Sequence, residues 1–137
     1  MRHYIIASHG TFAKGIYESI KIIIGEQENV TIINGYVEDT NIEKQVKETF
    51  DRIPEEAEIV ALTDVFGGSV NNEFMKYIQR DNYYLITGMN LPLLMQVFLA
   101  DPSVDIATTL DQITSSVDTA PTFCNKLFND VNDDDEF

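Results

Sequence analysis

Short, wholly apolar runs alternate with longer stretches whose apolar residues recur every three to four positions. Tyr4-Ile5-Ile6-Ala7-Ser8 is β-rich and runs straight into His9-Gly10, which predicts a buried strand ending in a tight turn. From Phe12, the spacing Phe12, Ile16, Ile20 and Ile23/Ile24 predicts a helix that Gly25 stops. The rhythm repeats with a strand over Val30–Ile33 and a helix face of Ile42, Val46 and Phe50 ending near Pro54. It repeats again with Ile59–Thr63, whose continuous apolar character suits a strand covered on both faces, followed by a stripe of Val70, Phe74 and Ile78. A fourth unit pairs Tyr83–Thr87 with a helix opened by Leu91-Pro92, proline being tolerated at an early helical position.

Four strand-helix units in succession predict an α/β fold, a single doubly wound domain with a mainly parallel sheet ordered 2-1-3-4 and helices on both faces. Beyond Asp101-Pro102 the rhythm weakens, although Ile106, Leu110, Ile113 and Val117 keep helical spacing. Ala120-Pro121 reads as a break, after which Phe123, Leu127, Phe128 and Val131 suit either a further helix stripe or a surface packed on a partner subunit.

The length of 137 residues suffices for one core without disulfide or metal support. A lone cysteine, Cys124, excludes an internal disulfide and a Cys-rich zinc site and fits a reducing compartment. The apolar run after Arg2 is too short for a signal-peptide core, so the expected location is the cytoplasm. A net charge of −14 repels phosphate backbones and anionic lipid, which argues against nucleic-acid binding and direct membrane binding. Five of the acids lie within Asp130 to Phe137, and residues 129–137 read as a solvated acidic tail behind a domain of residues 1–128.

In an open parallel sheet, ligands bind at the carboxyl ends of the strands, where the strand order reverses. Three turns qualify: Ser8-His9-Gly10-Thr11, Asp64-Val65-Phe66-Gly67-Gly68-Ser69 and Gly88-Met89-Asn90. With strands one and three adjacent, His9 and Asp64 face each other. A carboxylate that accepts the Nδ1 proton fixes the imidazole tautomer and leaves the Nε2 lone pair free to attack. No Lys/Arg cluster accompanies this pair, so phosphoryl oxygens would draw on backbone N–H groups around Gly10, Gly67 and Gly68 and on the Ser69 hydroxyl. The turn is neither a P-loop nor a dinucleotide fingerprint, and no nucleotide, metal or other cofactor is expected. Phe66 reads as a core or interface aromatic, and His3, at the start of the first strand, has no evident chemical partner.

These residues sit in blocks that resemble the IIA domains of mannose-family sugar phosphotransferase systems (PTS). The blocks are Ala7-Ser8-His9-Gly10, Phe12-Ala13, Gly15, Gly25–Val30, Thr63–Ser69 and Gly88–Leu94, in order over the first 100 residues or so. The resemblance implies that His9 is the phosphorylated histidine, Asp64 its carboxylate partner and Ser69 a residue beside the phosphoryl group. It further implies phosphocarrier HPr as donor, a IIB subunit as acceptor, a functional link to membrane IIC and IID subunits, and a homodimer. Val70 stands where the family usually has proline after Gly-Gly-Ser, and it retains an N–H that proline would lack.

Two related readings use the same histidine. The phosphocarrier subunit of a dihydroxyacetone kinase system resembles Ser-His-Ser rather than Ser8-His9-Gly10, and a phosphorylation-dependent regulatory binding module would need a partner outside the sugar relay. A hydrolase is a third reading, although Ser69 does not sit in a G-x-S-x-G elbow.

Overall fold

The structure is a computed structural model that describes residues 1–37 and 40–133, without the side chains of 130–133. Among the described residues, four strands form one sheet in the order β2-β1-β3-β4. These are β1 (Arg2–His9), β2 (Val30–Gly35), β3 (Glu58–Thr63) and β4 (Tyr83–Thr87). All three pairings are parallel, which sharpens the expectation of a mainly parallel sheet. The helices are α1 (Phe12–Ile24), α2 (Ile42–Arg52), α3 (Ser69–Met75), α4 (Leu91–Phe98), α5 (Ile106–Ser115) and α6 (Cys124–Asp133).

Alternation along the central strands divides the core in two. Ile6, Val60 and Leu62 join Ala13, Ile16 and Ile20 of α1, Leu94 of α4 and Leu110 of α5 on one face. Ile5, Ala7, Ile59 and Ala61 join Val46 and Phe50 of α2 and Val70 and Phe74 of α3 on the other. Because helices cover both faces, β1 and β3 are apolar at consecutive positions and not only at alternate ones.

Several apolar positions differ from the periodic reading. Phe12 and Ile23 are exposed, and α1 buries Ala13 together with the expected Ile16 and Ile20. Helix α3 ends at Met75, after which Tyr77 N–H donates to Phe74 O and Ile78 N–H to Met75 O, at 3.2 and 3.1 Å. These tighter i→i+3 bonds over-rotate the chain, so Ile78 is 49% exposed while Tyr77 turns inward to stack on Phe50, centroids 3.9 Å apart. Val117 is 84% exposed because α5 stops at Ser115 and a 3-10 turn over Val117–Thr119 buries Thr119 in its place. Helix α6 crosses the boundary read at residue 128, and residues 134–137 of the acidic tail lie outside the described residues, as do Glu38 and Asp39. No helix of the described residues is long and apolar enough to cross a membrane.

Candidate functional site

Parallel register brings the chemistry to one end of the sheet. Ala7 pairs with Thr63 across β1 and β3, so His9 and Asp64 emerge side by side at the carboxyl ends. On the other side, His9 pairs with Gly35 of β2, which places Tyr36 next to the imidazole. The approach there is close: a Cβ on Gly35 would lie 3.0 Å from Ser8 O and 3.3 Å from both Ile42 Cδ1 and Val70 Cγ2. His3 sits at the far end of the same strand.

Ser8, fully buried, closes the turn into α1. Its hydroxyl accepts the Ala13 N–H at 2.7 Å and donates to Gly10 O at 3.1 Å, satisfying a helix-start donor that the Thr11 cap leaves without a side-chain partner. Gly10 takes a left-handed φ of +62°, and its N–H donates to Gly35 O at 2.8 Å. Of the backbone groups considered for phosphoryl binding, the Gly10 amide is thus already engaged.

The imidazole is held from both sides. Asp64 Oδ2 accepts the His9 backbone N–H and lies 2.8 Å from Nδ1, also at 2.8 Å from that backbone nitrogen, while Oδ1 accepts Val65 N–H at 3.0 Å. Burial pushes the Asp64 carboxyl up, but the His9 backbone and ring hydrogen bonds and the Val65 N–H together outweigh it and hold the group below its ordinary 3.8. An ionised Asp64 requires the proton on Nδ1, and in the neutral imidazole this leaves Nε2 with the lone pair. The Asp64 side chain is 13% exposed and that of His9 43%, so the carboxylate is sheltered and the imidazole faces outward.

Ser69, the first residue of α3, places its Oγ 3.2 Å from His9 Nε2. Gly68 precedes it in extended conformation, and a Cβ there would lie 2.9 Å from Val65 Cγ2 and 3.2 Å from His9 Cε1. Gly67 takes φ +78°, which lets the turn fold back beneath the imidazole. The first turn of α3 leaves the N–H groups of Ser69, Val70 and Asn71 without intrahelical acceptors, whereas Gly68 N–H, also expected as a phosphoryl donor, already donates to Val65 O at 3.4 Å. His9, Asp64, Gly67, Gly68, Ser69 and Gly10 therefore all lie at one site.

The third turn has structural work instead. Asn90 caps α4 by accepting Leu93 N–H at 2.9 Å and donates to Thr119 O at 2.7 Å. Phe66 is 81% exposed, which excludes a core role and, with exposed Phe12 and Val65, leaves apolar surface beside His9. Tyr36 was not among the expected site residues, yet its ring stacks on His9 with centroids 5.6 Å apart and its hydroxyl lies 2.8 Å from Ser69 Oγ. The signal was present in the strand-end rule itself, because Tyr36 follows the strand that pairs with β1.

The chain matches known proteins over most of its length. A family model described as PTS system fructose IIA component matches residues 3–114. The chain is 31% identical over 96 residues to the fructose-specific EIIA component of a Bacillus subtilis PTS, covering 68% of this chain and 66% of that protein. It is likewise 31% identical over 108 residues to the mannose-specific EIIAB component of Escherichia coli K12, covering 74% of this chain. The chain thus spans one third of that relative, 33% of its length. A crystal structure from Klebsiella pneumoniae, provisionally described as a phosphoenolpyruvate-dependent sugar PTS permease, superposes with a TM-score of 0.87 at 33% identity over 93% of both chains.

Proposed function

The chain belongs to the mannose and fructose family of PTS IIA components, and from that premise we propose that it carries a phosphoryl group on His9 Nε2 between two protein partners. The observation that supports this best is the 2.8 Å contact of Nδ1 with the sheltered Asp64 carboxylate, with Nε2 directed outward. The donor is HPr, phosphorylated on its own histidine, and the acceptor a IIB subunit that serves membrane IIC and IID subunits in sugar uptake. The name of the E. coli relative, EIIAB, joins the A and B components.

In the transfer, the Nε2 lone pair attacks phosphorus as the bond from phosphorus to the donor nitrogen breaks. The Nδ1 proton stays in its hydrogen bond to Asp64. Positive charge builds on the His9 ring as it leaves the donor ring, and the ionised carboxylate stabilises it. Ser69 and the first-turn N–H groups of α3 lie on the Nε2 side, where the phosphoryl oxygens arrive. The reverse step passes the group to IIB with the same atoms in the same roles.

Intact-mass measurement after incubation with phosphoenolpyruvate, enzyme I and HPr tests this reading. One phosphoryl group per chain is expected, lost in acid as a phosphoramidate is, and absent from His9→Ala. Undiminished labelling of His9→Ala, or an acid-stable adduct, overturns the assignment.

One geometric observation favours a second reading. Asp64, His9 and Ser69 are connected in the order of a hydrolytic triad. Turnover of p-nitrophenyl acetate that disappears in Ser69→Ala would support it, and no turnover would remove it.

A further inference from the structure

Tyr36 is the residue at this site that neither its residue type nor its motif announces. It follows Gly35, the register partner of His9, and takes a left-handed φ of +65°. The other non-glycine residues with positive φ among those described are Asn29 and Asn82, and asparagine visits that region readily. A bulky aromatic does not, and such an outlier is a reason to ask what the conformation achieves. Core burial does not account for it, since Tyr36 is 41% exposed. Its ordered contacts are with the site: the ring lies over the His9 imidazole at 26° between planes, and the hydroxyl meets Ser69 Oγ.

We infer that Tyr36 is a positioning residue, holding the Ser69 hydroxyl over His9 Nε2 and packing one face of the imidazole. The inference rests on the phosphocarrier reading for its consequence. Donor and acceptor directions follow from the proton on Nδ1. In the neutral ring that attacks, with the Nδ1 proton committed to Asp64, Nε2 can only accept, so the Ser69 O–H donates to it and Ser69 Oγ in turn accepts the Tyr36 O–H. Each bond in such a chain polarises the next. A serine hydroxyl alone has three staggered positions, and the 2.8 Å bond to Tyr36 selects the one facing Nε2. When Nε2 bonds to phosphorus its lone pair is gone, and the Ser69 O–H, still held by Tyr36, turns to a phosphoryl oxygen. The stacked ring meanwhile limits imidazole rotation, so the attacking nitrogen stays aligned.

A double-mutant cycle of Tyr36→Phe and Ser69→Ala, read by rapid-quench transfer from phosphorylated HPr, tests this. Tyr36→Phe keeps the ring and should slow transfer by about threefold to tenfold, the scale of one neutral hydrogen bond. Because Tyr36 acts through Ser69, the double variant should be no slower than Ser69→Ala alone. Equal rates for wild type and Tyr36→Phe, or simple additivity in the double variant, overturn the inference while labelling on His9 leaves the carrier reading standing. The same coupling is readable without transfer. In the unphosphorylated protein, Tyr36→Phe should move the His9 Nε2 nitrogen-15 resonance in the direction that Ser69→Ala moves it, and an unmoved resonance overturns the inference even if wild-type protein fails to label.

Discussion

A single carboxylate organises the site at the scale of residues. Asp64 accepts three N–H groups, two from His9 and one from Val65, and this set fixes the tautomer and keeps the carboxyl ionised. Asn would keep its size but lose its charge, and its single oxygen cannot accept from both the His9 groups and Val65 N–H, so an amide N–H would oppose a donor on one side. A hydrogen bond with a charged partner contributes about 1.5–3 kcal/mol, so Asp64→Asn should slow transfer from HPr roughly tenfold to a hundredfold in rapid-quench assays. Ser69→Ala should do less, because first-turn N–H donors remain. The lowered carboxyl also carries a pH signature. Its stabilisation is fully present above the ordinary 3.8 and is lost as pH falls through its own, lower value. Melting temperatures followed from about pH 5 to about pH 2 should therefore fall less steeply for Asp64→Asn than for wild type; parallel acid limbs would count against an ionised, hydrogen-bonded Asp64. Gly68 supplies a separate test of fit. Its backbone angles suit alanine, yet the new Cβ would press on His9 Cε1 at 3.2 Å and on Cγ2 of the exposed Val65 at 2.9 Å, which can yield toward solvent. Gly68→Ala should leave melting within a few degrees of wild type, since a Gly→Ala gain of about 0.4–1 kcal/mol opposes the crowding. Transfer should slow severalfold; unchanged rates would mean the imidazole has room to yield.

Elements were legible in the sequence to the extent that burial writes a periodic signal. Strands β1 and β3 stood out because both of their faces are covered, and the doubly wound order 2-1-3-4 expected from the strand-helix rhythm is what brought His9 and Asp64 together at the reversal. Helix ends were less legible, because hydrogen-bonding details set them. Val70, Phe74 and Ile78 keep a spacing of four, but the i→i+3 bonds after Met75 exchange Ile78 for Tyr77 at the buried face. Arg80 fixes that exchange by donating to Pro54 O, Glu55 O and Ala57 O, contacts between segments that no local pattern reveals. The two residues should consequently respond in opposite order to the periodic reading. Ile78→Ala should cost no more than about 0.5 kcal/mol in urea unfolding, as for an exposed site. Tyr77→Ala should cost about 1–3 kcal/mol, combining lost apolar burial with an aromatic pair worth about 0.5–1.5 kcal/mol. Tyr36 was missed for a related reason. Its role depends on pairing register and a left-handed backbone, and in sequence it is one aromatic between a glycine and a valine.

The scale of the whole molecule brings together two opposing features, a net charge of −14 and a C-terminal helix that leaves apolar side chains uncovered. Phe123, Leu127 and Phe128 are exposed, although Leu127 and Phe128 lie on α6 one turn after its start. Together with the family resemblance, that surface supports a homodimer. A second copy carries the same −14, so association must bring like charges together and bury apolar area against their repulsion. The two contributions respond differently to salt. At about 10 mM the screening length is about 30 Å, and the charges of both chains act across the interface; at about 150 mM it falls to about 8 Å. Burial of Leu127 and Phe128 is insensitive to salt over this range. Sedimentation equilibrium should therefore show twice the 15.5 kDa chain mass, with dimer dissociation becoming weaker as salt rises between those concentrations. The double variant Leu127→Asp, Phe128→Asp should sediment as a monomer at both salts while still accepting a phosphoryl group on His9, since the hydrogen bonds around His9 among the described residues come from Asp64, Ser69 and Tyr36. A dimer unaffected by that variant would place the interface elsewhere on the chain, and a mass of one chain at every concentration and salt would remove the dimer altogether.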